Sequence, residues 1–117
     1  MALSPEERFA SIAETQLGRR GVTTGTGFGK NPGLRIAGKI FAMLVREELV
    51  LKLPSDRVAE LSASGVGRPF DAGRGRPMKE WISVPAKAGR RWPALVEEAR
   101  VFVAKGDRKP GRASTRR

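Results

Sequence analysis

The side chains of this sequence that could do chemistry are basic, and their chemistry is phosphate binding. Arg68, Arg74, Arg76 and Lys79 lie close together, opposed by Asp71 and Glu80, and Lys87, Arg90 and Arg91 follow. A guanidinium or ammonium donates charged hydrogen bonds to phosphate oxygens, and arginine can donate two in parallel. Within the fold the expected contacts are Arg74, Arg76, Lys79, Arg90 and Arg91. Arg108, Lys109 and Arg112 extend the same chemistry towards the C-terminus. Loops that neighbour each other would join these residues into one positive rim. Ordinary solvated loops are the alternative.

The missing residue types narrow the function further. The 117 residues include no Cys, His or Tyr. Without thiolate or imidazole there is no disulfide framework, no Cys-His or Ser-His pair and no ordinary catalytic zinc site. The paired acids Glu6-Glu7, Glu47-Glu48 and Glu97-Glu98 read as a helix start, a turn and a solvated helix face. The expectation is therefore a protein that is not an enzyme, with no catalytic, cofactor-binding or metal-binding residue. The glycine-rich stretch Thr24-Gly25-Thr26-Gly27-Phe28-Gly29-Lys30-Asn31 fails as a phosphate loop. Thr24 stands where its first glycine belongs, and Asn31 where Ser or Thr should follow the lysine.

The elements that must position the basic residues suit one compact domain. Ser4-Pro5-Glu6-Glu7 is a capping box with proline at the first helical position. Phe9, Ile12, Ala13 and Leu17 continue that helix at helical spacing. Residues 19–33 read as a loop or an irregular edge strand. Leu34-Arg35-Ile36, Ile40 to Val45 and Leu49 to Leu53 then read as strands with short connections, which favours an antiparallel meander. The 40–45 segment is apolar on both faces and belongs in the middle of the sheet. A short helix over 54–63, an edge strand at 68–71 and a strand at 81–84 follow. Trp92, Leu95, Val96, Ala99, Phe102 and Val103 stripe a last helix over about 90–104. Trp81 and Trp92 both read as core. The predicted fold is α+β: an N-terminal helix, an antiparallel meander of about four to five strands with a short helix inserted, and a C-terminal helix. Residues 1–104 form the domain, and 105–117 a disordered basic tail.

Charge follows that division. The chain carries 23 Lys and Arg against 12 Asp and Glu, a net +11. From Lys105 onward there are six basic residues and one acid, a net +5, which leaves +6 on the domain. Such a tail binds phosphate backbones without reading sequence, or serves only as a solubilising segment. No apolar run approaches the roughly 20 residues needed to span a bilayer, and no signal segment opens the chain, so no membrane partner and a cytoplasmic location are expected.

Several motifs, in order, resemble one family. Gly27-Phe28-Gly29, the run Leu34-Arg35-Ile36-Ala37-Gly38-Lys39-Ile40-Phe41-Ala42-Met43-Leu44, and Leu49-Val50-Leu51-Lys52-Leu53-Pro54 look like the strands of TfoX N-terminal-like domains. Related MmcQ/YjbR-like proteins share the Gly-Lys-Ile-Phe-Ala strand. Arg76-Pro77-Met78-Lys79-Glu80-Trp81, ending in Val84-Pro85, is similar to the family's later strand. The resemblance covers residues 5 to 104. It implies a small α+β domain with a helix at each end of a curved antiparallel sheet. It also implies a DNA-binding label, with the basic tail as anchor where the full-length regulators carry a second, helical domain. The expected function is a non-enzymatic module that binds a DNA or RNA phosphate backbone weakly and without sequence preference. The alternative is a protein-interaction or homodimer module with no nucleic-acid role.

Overall fold

The computed structural model describes residues 3–26, 32–70 and 78–108. Helix α1 (Pro5–Gln16) opens with the expected box: the Glu7 amide donates to Ser4 Oγ at 3.1 Å, and the Ser4 amide donates to Glu7 Oε1 at 2.9 Å. Six strands follow, β1 (Val22–Thr26), β2 (Pro32–Ile36), β3 (Lys39–Val45), β4 (Glu48–Lys52), β5 (Arg68–Phe70) and β6 (Met78–Val84). Helix α2 (Ser55–Ala63) sits between β4 and β5. A 3-10 helix (Ala86–Arg91) leads directly into α3 (Trp92–Arg108).

The α+β architecture is as expected, with one more strand. That strand is β1, drawn from the glycine-rich stretch, where the β-branched Val22, Thr23 and Thr24 suit an extended backbone. The sheet is antiparallel throughout, in the order β1-β2-β3-β4-β6-β5. It departs from a plain meander at its end, because β6 pairs with β4 and pushes the three-residue β5 to the edge. The last helix also runs to Arg108, so Lys105 to Arg108 continue α3 and do not begin the tail. Residues 109–117 lie outside the described residues.

The main core lies between the sheet and the helices. Phe9 and Ile12 of α1, Val58 and Leu61 of α2, and Trp92, Leu95, Val96, Ala99 and Val103 of α3 pack there. From the sheet come Leu34, Ile36, Phe41, Ala42, Leu44, Leu49, Leu51, Ile82 and Val84. Phe41 and Ala42 are sequence neighbours, yet both face this core. A register shift between β2 and β3 explains it: Leu34 pairs with Ala42 but Arg35 pairs with Ile40, leaving Phe41 without a partner residue. Such a bulge breaks the strict alternation of a strand. It returns Ile40, Met43 and Val45 to the opposite face, where they join Val50, Phe70 and Trp81.

Glu97 and Glu98 are not the solvated face that the sequence predicts. Gln16 Nε2 donates to Glu97 Oε1 at 3.1 Å, Arg19 approaches the same oxygen at 3.6 Å, and Arg100 holds the other. Arg57 donates to both oxygens of Glu98 at 3.0 Å and also to Glu60 at 2.7 Å. The two acids thus tie α3 to α1 and α2. The Arg100 hydrogen bond, then that of Gln16, holds the Glu97 carboxyl below its ordinary value of 4.5. A carboxyl lowered in the folded state adds stability above its unfolded value and loses it as pH falls through the folded one. The stability gap between wild type and Glu97→Gln, read from urea midpoints, is expected to be open at neutral pH and to close as pH falls below the ordinary carboxylate range. A gap that widens in acid contradicts the assignment.

Candidate nucleic-acid interface

Among the described residues, those expected to bind phosphate do not form one rim. Arg74, Arg76, Lys109 and Arg112 lie outside the described residues. Lys79 is exposed near the start of β6, whereas Arg90 and Arg91 are exposed in the 3-10 helix beyond its other end. At about 3.3 Å per residue the strand separates the two groups by roughly 20 Å. Arg108 is the last residue of α3, about 25 Å along the helix from Arg91 at 1.5 Å per residue. Lys87, Arg90 and Arg91 remain together on one short helical turn. Beside it, Arg8 Nη1 of α1 donates to the Gly89 carbonyl at 3.4 Å.

A second group of basic residues emerges on the sheet face away from the helices. In an antiparallel sheet, paired residues share a face and alternate residues along a strand return to it. Met43 pairs with Val50, Val50 with Ser83, and Ser83 with Arg68, which defines one row across four strands. Val45 and Glu48 form the row on one side of it, and Lys52 and Trp81 the row on the other. Pairing with Ile40 adds Arg35 from β2. Met43, Val50 and Phe70 form the buried floor of this face, with Ile40, Val45 and Trp81 half-buried around them. No helix residue belongs to this cluster among the described residues.

The rim of this floor is basic. Among the described residues it carries Arg35, Arg46, Lys52 and Arg68, against Glu48 and, at the edge, Glu80. Lys52 Nζ sits 5.7 Å from the Trp81 ring centre, a cation-π distance, and 3.9 Å from Glu80. Both members of that ion pair are more than a third exposed, so water screens it. Trp81 is therefore not the core residue its type suggests, whereas Trp92 is wholly buried.

The β3–β4 turn sets Arg46 at the head of this face. Arg46 and Glu47 both have left-handed backbones, with φ of 49° and 68°. Two positive angles in a two-residue hairpin match the right-handed twist of the flanking strands. Beside the turn, Glu48 Oε1 accepts from Ser83 Oγ at 2.6 Å and from Arg68 Nη2 at 2.8 Å. Ser83 is 5% exposed, one of two buried polar residues among the described residues, and Glu48 is its hydrogen-bond partner.

Sequence reasoning singled out Arg68 but missed Arg35, Arg46, Lys52 and Ser83. The alternations Glu48-x-Val50-x-Lys52 and Trp81-x-Ser83 are legible signals that these residues share strand faces. Their cross-strand register is not legible without the fold. Among the described residues no group of three or more acids could hold a metal ion, and no helix is long and apolar enough to cross a membrane. No known family model matches the sequence, and no curated protein matches it.

Proposed function

We propose that this chain is a non-enzymatic, cytoplasmic binding module that holds the phosphate backbone of nucleic acid weakly and without reading sequence, as a TfoX N-terminal-like domain. The observation that carries this reading is the basic rim on the helix-free sheet face, with a half-exposed tryptophan beside Lys52. Cations around an aromatic platform suit a charged strand whose bases stack without specificity. The net charge of +11 adds long-range attraction.

The test is fluorescence anisotropy with labelled single-stranded DNA over a salt series. The full chain is expected to show a log–log slope of several units. Changing Arg46→Asn and Lys52→Gln together should reduce that slope by about 1.4, at about 0.7 per phosphate contact on a single strand. A slope unchanged in the double variant, but reduced when Lys87, Arg90 and Arg91 become Gln, moves the interface to the 3-10 helix.

The half-buried Ile40, Val45 and Trp81 on the same face favour a second reading, a homodimer or protein-interaction module. Light scattering that gives twice the 12.7 kDa chain mass, together with no salt-dependent DNA binding, would select it.

A further inference from the structure

A cavity of about 310 Å³ opens at the head of the basic face, between the β3–β4 turn and β5. Arg46 and Arg68 stand at its mouth, Val45, Pro69 and Phe70 give it apolar walls, and Glu48 and Ser83 form its back. We propose that this cavity binds a single nucleotide unit and prefers a base that carries an exocyclic amine. The proposal rests on the nucleic-acid reading above and assigns that reading a site.

Each part of the cavity fits one part of such a ligand. Two guanidiniums at the mouth suit a phosphate, because each can donate paired N–H groups to its oxygens. The exposed ring of Pro69 and the half-buried Val45 suit one face of a base, above the buried Phe70. The volume lies at the lower end of the range for small-ligand sites. The back of the cavity supplies selectivity. Both hydrogen bonds to Glu48, from Ser83 and from Arg68, end on Oε1. That fixes the carboxylate while leaving Oε2 without a partner among the described residues. A fixed carboxylate oxygen accepts from an amino group, as acidic side chains do from the cytosine amine. The O4 carbonyl of uracil at the same position would face it with like charge. Ser83 is a positioning residue here: its hydroxyl is committed to Glu48 and orients the carboxylate.

Two details argue for a built site over a chance dimple. Ser83 is buried and polar on a face otherwise floored by apolar side chains. Arg46 has no hydrogen-bond or ion-pair partner among the described residues.

The test is calorimetric titration of the full chain with cytidine monophosphate, uridine monophosphate and inorganic phosphate, with the DNA anisotropy assay run in parallel. Cytidine monophosphate is expected to bind saturably and about tenfold more tightly than uridine monophosphate, the difference of one hydrogen bond to a charged group. Inorganic phosphate should bind more weakly than either. Arg46→Asn, which keeps a residue tolerant of the left-handed turn, should weaken nucleotide binding at least tenfold. Glu48→Gln keeps an acceptor for Ser83 but turns the free oxygen into a donor, so the cytidine preference should invert. The proposal is overturned if cytidine monophosphate shows no saturable binding while DNA is still bound. It is equally overturned if all three probes bind alike, which would leave only an anion site. Loss of DNA binding with the cytidine preference intact would remove the backbone-binding reading and leave this site standing.

Discussion

Replacing Trp92 with alanine is expected to cost about 3–5 kcal/mol of folding stability, as deletion of a large buried aromatic does. Trp92 is fully buried and stands where the 3-10 helix becomes α3, its backbone N–H donating to the Gly89 carbonyl. Its ring joins the core into which all three helices and the sheet send side chains. A domain of this size has a net stability of about 5–15 kcal/mol, so one such loss removes a large share. The urea midpoint should fall steeply with an unchanged slope. Trp81→Ala is the control. That ring is half-buried on the other face, so its loss should cost much less, about 1–2 kcal/mol from the smaller area returned to water. Trp92→Phe separates volume from polarity. The indole Nε1 has no hydrogen-bond partner among the described residues, so phenylalanine gives up volume but also removes a buried unpaired donor. It should therefore cost well under half of the alanine change. Equal midpoints for Trp92→Ala and Trp81→Ala would mean that the core is not organised around Trp92.

Local chemistry made several elements legible. Ser4, Pro5 and Glu7 specify a helix start by themselves, because the capping box needs only residues three apart. The apolar 40–45 run does lie inside the sheet, between β2 and β4. Which of its residues face the helices is set by the bulge at Phe41, which depends on pairing with β2 and leaves no mark in composition. Non-local pairing hid the rest as well. Nothing near β5 in sequence tells that β6 will slip between it and β4. Glu97 and Glu98 look solvated at helical spacing because their partners Gln16, Arg19 and Arg57 come from distant parts of the chain. The basic residues suffered from the same blindness. Neighbours in sequence such as Lys79 and Arg90 end at opposite ends of β6, while Arg46, Arg68 and Ser83, distant in sequence, line one cavity.

Gly67→Ala is expected to produce the second large loss, and it reaches the cavity as well as the fold. A Cβ on Gly67 would stand 2.5 Å from the Ser83 carbonyl oxygen and 3.1 Å from two carbons of Ile82. The oxygen is backbone in β6, a strand held on both sides by β4 and β5, so it cannot step aside cheaply. The edge strand must move instead, at a cost of about 1–3 kcal/mol for an overpacked site. Gly38→Ala isolates the other way a glycine can matter. Its φ is +81° in the β2–β3 turn, with nothing within 4 Å of an added Cβ, so it should lose only the conformational cost of about 1–2 kcal/mol. The two variants can look alike in a urea titration and must differ in the cavity. Lifting β5 carries Arg68 away from Glu48, a contact of 2.8 Å in the intact protein. Gly67→Ala should thus weaken cytidine monophosphate binding along with stability, whereas Gly38→Ala should leave that binding unchanged. If Gly67→Ala binds the nucleotide as wild type does, Arg68 is not held in place by the close approach of β5 to β6, and the anion at the mouth rests on Arg46 alone.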